Sequence, residues 1–190
     1  MIFHRCVWCG GSVHSSTPPS LSAEAGFDAA VDPQASAALA DVIATARRRA
    51  ARDGDRQIDT AHLLHSLLES DSGTWELLDG GGSKIGKLLG YLVQRSIGYG
   101  LRWQSTVEDS GAVPAVSDQP GAVPGWSPSA QAALELAARR AERLGRARTE
   151  GVDLFAGVVA DPECRGAEVL RRAGVDVEEL AARLGVADGA

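Results

Sequence analysis

The sequence predicts an all-α fold, a four-helix repeat duplicated about a pseudo-twofold to give about eight helices. Three observations predict it. Residues 54–68, GDRQIDTAHLLHSLL, recur in degraded form at 145–159 as GRARTEGVDLFAGVV, an offset of 91, and a segment that returns at a fixed spacing marks a duplicated structural unit. The same offset carries Leu39, Val42, Ile43, Ala46 and Ala50 onto Ala130, Ala133, Leu134, Ala137 and Ala141, in both cases the i, i+3, i+4, i+7, i+11 stripe of an amphipathic helix. Further along, with one residue of slippage in a loop, Leu77, Leu78, Gly82, Ile85, Leu88 and Leu92 fall on Val169, Leu170, Gly174, Val177, Leu180 and Leu184.

Residues 1–31 hold Gly10-Gly11, Ser15-Ser16 and Pro18-Pro19 and no apolar stripe long enough to pack, so they read as a flexible N-terminal extension. The first repeat, 32–101, opens at Asp32-Pro33 or at Ser36, both of which are capping signals. Its first helix runs to about Asp53, favoured by an alanine-rich backbone, with Arg47, Arg48, Arg49 and Arg52 on the polar side and Gly54 as the residue that closes it. Gln57-Ile58 is a short extended segment. Asp59 or Thr60 caps the second helix, which presents Leu63, Leu64, Leu67 and Leu68. A loop over 70–73 leads to a short third helix over 74–78, which Gly80-Gly81-Gly82 is expected to end, and a fourth helix over 83–94 carries Ile85, Leu88, Leu89 and Leu92. The run GGGSKIGK lacks both the Gly-Lys-Ser/Thr order and the preceding strand of a phosphate-binding loop, so it reads as a glycine turn.

Residues 102–125 contain Gly111, Pro114, Pro120-Gly121 and Pro124-Gly125 with little periodicity, the composition of a linker. The second repeat, 126–184, begins at Trp126-Ser127-Pro128, with Ser127 as N-cap and Pro at the first helical position. Its helices are expected over 127–144, 152–160, 164–173 and 176–184, Asp161-Pro162 serving as the cap before the third. Residues 185–190 form a tail.

At 190 residues, 44% of them hydrophobic and 23% charged, the chain can bury a core. Its net charge of −6 is spread thinly, with 8 basic and 9 acidic side chains over 32–101 and 9 and 10 over 126–184. Sequence-independent nucleic-acid binding depends on clustered Lys and Arg, and the one tight cluster, Arg47 to Arg49, lies on a helix where it reads as a solvated face. Nothing approaches the roughly 20 apolar residues of a membrane span, and MIFHRCVWCGG makes a poor secretory signal. Three cysteines, an odd number, argue against a disulfide framework. The expectation is a cytoplasmic protein that binds neither nucleic acid nor membrane and takes no cofactor.

Cys6-Val7-Trp8-Cys9, flanked by His4 and His14, offers thiolate and imidazole groups suited to tetrahedral zinc. All four crowd into one short stretch, whereas a zinc knuckle draws its second ligand pair from a separate loop. A lone CxxC also serves redox chemistry, but on a helix N-terminus of a βαβ scaffold, which the sequence does not show. A small metal-binding or redox protein using this CxxC is therefore the alternative reading of function.

The conjunction of a small-residue helix, a glycine, the helix start Thr60-Ala61-His62-Leu63-Leu64, a short helix and a final helix resembles the Clp repeat, which forms the N-terminal domain of the bacterial ClpC- and ClpA-type unfoldases. The opening Trp126-Ser127-Pro128-Ser129-Ala130 is similar to the aromatic-Ser/Thr-x-x-Ala opening of that family, and Val169-Leu170-Arg171-Arg172-Ala173-Gly174-Val175-Asp176 to its ending. The resemblance spans residues 35–184. It implies a pseudo-twofold domain that docks adaptors and substrates in regulated proteolysis, including, in ClpC types, proteins marked by arginine phosphorylation. No Gly-x-x-x-x-Gly-Lys-Ser/Thr sequence occurs, so the expectation is a stand-alone protein without ATPase modules.

The family's Ile-Gly-Thr-Glu-His-Leu-Leu reads here Ile58-Asp59-Thr60-Ala61-His62-Leu63-Leu64 and Thr149-Glu150-Gly151-Val152-Asp153-Leu154-Phe155. The glutamate that the resemblance would set against a phosphoarginine guanidinium is thus Ala61 in one copy and Val152 in the other, which removes the bidentate carboxylate. Asp59 and Glu150 lie two residues earlier, about half a helical turn away. His62 would need a nucleophile and an orienting partner to act as a base, and its counterpart Asp153 shows that the position does not demand imidazole. A histidine there donates to a backbone carbonyl or a carboxylate. Trp126 stands where the family often shows an aromatic on a ligand surface, a position equally suited to half-buried packing. Partner-binding residues are accordingly Asp59, Thr60, His62, Trp126, Glu150 and Asp153. The function expected is a non-catalytic protein-binding module acting as adaptor, regulator or decoy in Clp-dependent proteolysis. Its expected partners are a Clp ATPase, adaptors or substrates, and peptide-like small molecules. A subunit that assembles through its helices without binding clients is a third reading.

Overall fold

The first helix starts where a serine can supply the acceptor that a free helix end lacks. The Ser36 hydroxyl accepts the Leu39 amide at 3.1 Å, and α1, Ala37–Asp53, follows. It buries the expected stripe of Leu39, Val42, Ile43, Ala46 and Ala50 and stops where Gly54 turns left-handed at φ 71°, its amide reaching back to Ala50 and Ala51. Ser127 does the same for α5, Pro128–Arg143, accepting the Ala130 amide at 3.0 Å. Gly145, at φ 65°, follows that helix as Gly54 follows α1. The computed structural model describes residues 34–78, 81–96, 108 and 125–186.

In chain order the remaining elements are β1, Gln57–Ile58; α2, Thr60–Ser70; α3, Ser72–Leu77; α4, Gly81–Ser96; β2, Gly125–Trp126; α6, Gly151–Ala160; α7, Arg165–Arg172; and α8, Val177–Leu184. The described residues therefore carry eight α-helices, as the duplicated repeat predicts. At the centre lie α2 and α6, each buried nearly all round. Leu63, Leu64, Leu67 and Leu68 on one and Leu154, Phe155, Val158 and Val159 on the other are buried in a single core. A fully buried side chain of this kind contributes roughly 1.5–3 kcal/mol relative to exposure.

Several boundaries differ from the sequence reading, each for a local reason. No loop spans 70–73: α2 continues to Ser70, and Asp71 alone separates it from α3, accepting from the Gly73 amide at 3.2 Å and the Thr74 hydroxyl at 2.6 Å. Gly81 and Gly82 belong to the first turn of α4 rather than to a turn that ends α3. Glycine costs about 1 kcal/mol in a helix, and burial of Ile85, Leu88 and Leu92 on the same helix outweighs it. Consequently Gly82 and Gly174 are not structural equivalents, since Gly174 is left-handed at φ 82° after α7. The cap of α7 is Cys164, whose sulfur accepts from the Ala167 amide at 3.3 Å, and not Asp161-Pro162. Asp161 instead terminates α6 and accepts from the Ser129 hydroxyl at 2.9 Å.

The sequence reading did not anticipate β2, and it is what joins the halves. β1 and β2 pair in parallel, Gln57 with Gly125 and Ile58 with Trp126. An isolated parallel bridge links Ala35 to Thr149. Shifted by the repeat offset, Ala35 becomes Trp126 and Ile58 becomes Thr149, so the two connections are images of one another. Two hydrogen bonds repeat the exchange: the Ser36 amide donates to the Thr149 carbonyl at 2.9 Å, and the Ser127 amide to the Ile58 carbonyl at 2.8 Å. Each half thus caps its own first helix and pins that cap to the other half. No helix among the described residues is long and apolar enough to cross a membrane.

Candidate functional site

The six residues singled out from the sequence divide between the starts of α2 and α6. At α2, Asp59 is the N-cap, and its Oδ1 accepts the His62 amide at 3.0 Å. His62 reaches back: its Nδ1 faces the Asp59 amide at 3.1 Å and Asp59 Oδ1 at 2.7 Å, while Nε2 lies 2.9 Å from Asp55 Oδ2. This is a capping box with imidazole in the place usually held by Glu or Gln. At α6 the same box closes through Asp153, whose Oδ2 accepts the Glu150 amide at 3.1 Å. The equivalence of His62 and Asp153 is therefore one of capping, for which any acceptor three residues into the helix serves. His62 thus meets the Asp55 carboxylate through Nε2 and the Asp59 amide through Nδ1.

Burial decides what these residues can do. Asp59, Thr60, His62 and Asp153 are 0% exposed. Asp59 has both oxygens engaged, Oδ2 by the Arg165 guanidinium at 2.6 Å. Asp153 receives Arg140 at 2.5 Å and Arg146 at 2.6 Å on one oxygen, and a buried carboxylate is tolerated only when paired in this way. Glu150 is exposed. Trp126 is half-buried against the core, with the Arg47 guanidinium 5.8 Å from its ring centroid, within cation–π range. Its indole nitrogen meets no acceptor among the described residues. Of the six, Glu150 and Trp126 alone present surface to a partner.

Ala61 is fully buried and Val152 half-buried. Among the described residues, Asp53, Asp55 and His62 bring ligand-type atoms within 4.8 Å of one another. Both His62 nitrogens are already engaged, Nε2 by Asp55 and Nδ1 at the Asp59 cap, so the histidine of this cluster serves to hold the helix start. His4, Cys6, Cys9 and His14 lie outside the described residues. Cys164 is buried, and burial foremost, with the charges of Glu108 and Asp161 adding to it, pushes its thiol from 9.0 up to about 12. A thiol so held is a cap and not a nucleophile.

Sequence reasoning missed four residues that build this region: Arg140, Arg146, Arg165 and Glu108. Arg165 joins α7 to the Asp59 cap across 106 positions. Glu108 comes from the stretch between the repeats, which composition marks only as a linker. No local signal distinguishes either, because their partners are distant in sequence. The surface also holds an open groove of about 850 Å³ between α5, α6 and α8, lined among others by Ala132, Leu136, Ala160, Arg139 and Arg143.

No family model matches the sequence, and no curated protein matches it. Solved structures do. The chain is similar to the N-terminal domain of the caseinolytic protease-associated chaperone ClpD from Arabidopsis thaliana, at 21% identity and a TM-score of 0.53, over 80% of this chain and 92% of that one. It is similar as well to a structure from a study of a malarial protein secretion system, at 16% identity and a TM-score of 0.57, again over 80% and 92%. The fold of this chain is thus that of a Clp N-terminal domain.

Proposed function

We propose that this protein is a non-catalytic binding module of the Clp N-terminal type, engaging protein partners through its helical surface and acting as adaptor, regulator or decoy in Clp-dependent proteolysis. The observation that carries the reading is the burial of the polar residues at the two helix starts. Asp59, His62 and Asp153 are consumed in capping and ion pairing, which leaves a rigid scaffold with Trp126, Glu150 and the α5/α6/α8 groove as its outward features. Residues 32–101 and 126–184 are proposed as the two repeats. A guanidinium-type ligand loses its family carboxylates at Ala61 and Val152, and Asp59 is already committed to Arg165, so protein surfaces are the preferred partners over phosphoarginine.

The test is affinity capture with the full chain from cell extract, followed by identification of what is retained. A Clp ATPase, or proteins degraded by one, is the expected catch, weakened when Trp126→Ala or the double change Arg139→Glu, Arg143→Glu is introduced. Capture that retains no proteolysis-related protein contradicts the proposal.

A further inference from the structure

The repeat offset of 91 lays α1 and α2 over α5 and α6, and the two helix pairs carry different chemistry on corresponding positions. In the first half, Glu69 near the end of α2 takes the Arg49 guanidinium of α1 and lies 3.2 Å from the His65 imidazole nitrogen. In the second half Glu69 becomes Ala160, Asp41 becomes Ala132 and Thr45 becomes Leu136. All three replacements line the open groove of about 850 Å³. The second half thus lacks the acid that its twin holds and presents apolar surface instead.

The arginines persist. Arg48, Arg49 and Arg52 become Arg139, Arg140 and Arg143, and these three line the groove as well. With no glutamate at position 160, Arg140 pairs inward with Asp153 at 2.5 Å. Arg139 and Arg143 are exposed and stand about one helical turn apart on α5. Arg139 meets Glu135 at 3.7 Å with both side chains more than half exposed, a pairing of little worth, and Arg143 has no partner among the described residues. Among the described residues the only acid lining the groove is Asp161, which already accepts from the Ser129 hydroxyl at 2.9 Å. On a chain of net charge −6 this groove is a cationic recess with an apolar lining.

We propose that the groove binds an acidic, apolar segment of a partner protein, whose carboxylates meet Arg139 and Arg143 while its apolar side chains cover Ala132, Leu136 and Ala160. The partner supplies from outside the carboxylate that Glu69 supplies from within the first half. Resting on the protein-binding role set out above, this assignment names the chemistry of what is bound. Carboxylate–guanidinium pairs strengthen as apolar contact excludes water, and a basic segment is turned away by like charge. The first half, with Glu69 in place, offers no equivalent site.

The experiment uses three fluorescein-labelled peptides of one length and one leucine pattern, whose remaining positions are all glutamate, all glutamine or all lysine. Fluorescence anisotropy with the full chain measures affinity, and the amide resonances of Ala132 and Ala160 report the place. Wild type is expected to bind the glutamate peptide about tenfold or more tighter than the glutamine peptide, to reject the lysine peptide and to shift both amides. The double change Arg139→Glu, Arg143→Glu should invert the preference toward lysine. Ala160→Glu, which restores the acid of the first half, should lose the glutamate peptide while its melting temperature stays near that of wild type. Equal affinity for the glutamate and glutamine peptides, a preference that the double change does not invert, or an Ala160→Glu protein of undiminished affinity overturns the proposal. A dimer of wild type that the double change dissociates assigns the groove to a second copy of the chain and overturns it too. Capture of a Clp ATPase from extract without any preference for glutamate overturns this assignment alone, whereas a glutamate preference without any proteolysis-related catch supports it and contradicts the wider role.

Discussion

His62 and Asp153 show how far a single residue can be read from sequence. Their equivalence under the repeat offset sets an acid in one half where the other has a base, both three residues into a helix. What it leaves hidden is that both close a capping box, because the box depends on which atoms face the N-cap amide. The arginines that neutralise Asp153 and Asp59 were equally hidden, being fixed by packing and not by spacing. Cys164 yields a prediction at this scale. Its thiol ionises near 9.0 in the open chain and near 12 when folded, so between those values the unfolded state holds fewer protons and stability falls as pH rises, by about 1.4 kcal/mol for each unit. Below pH 9 the group contributes no slope. Urea unfolding at pH 8 and pH 10 measures it: wild type should lose stability over this interval by about 1.4 kcal/mol more than Cys164→Ala does, and equal losses would contradict the assignment.

Helices were more legible than residues. Ser36, Ser127, Asp59 and Gly54 were readable as caps because capping chemistry is local, and the apolar stripes of α1 and α5 placed their buried faces correctly. The start of α4 and the cap of α7 were not readable. In the first, tertiary packing overrides the reluctance of glycine to enter a helix; in the second, a sulfur stands in for the usual oxygen acceptor. The two halves also differ where their helix pairs cross. On α6, Gly157 lies against the Ala133 backbone so closely that an added Cβ would overlap the Ala133 carbonyl oxygen. Its counterpart by offset on α2 is Ser66, whose hydroxyl donates to the His62 carbonyl at 3.0 Å. Gly157→Ala must therefore push α5 and α6 apart, at a cost of about 3 kcal/mol, whereas Ser66→Ala removes one hydrogen bond for about 1 kcal/mol. Chemical denaturation of the two variants decides it, and a Gly157→Ala protein as stable as wild type would show that the helices do not touch there.

At the scale of the whole molecule, the repeat offset predicted two like halves but not how they meet. The reason is physical: the short strands that join them have two residues or fewer, too few to leave a periodic signal, and each pairs across the chain. Because each half pins the other's first helix cap, neither half should be able to open alone. The rigidity that the proposed binding role calls for rests on the Ser36–Thr149 and Ser127–Ile58 hydrogen bonds. Native-state amide exchange of Ser36 and Ser127 across a series of sub-denaturing urea concentrations tests this most directly. The account predicts that both amides exchange only through global unfolding, with the same free energy and the same urea dependence. Exchange of one amide at a markedly lower free energy than the other would show that the halves open independently, and would contradict the interlocked platform.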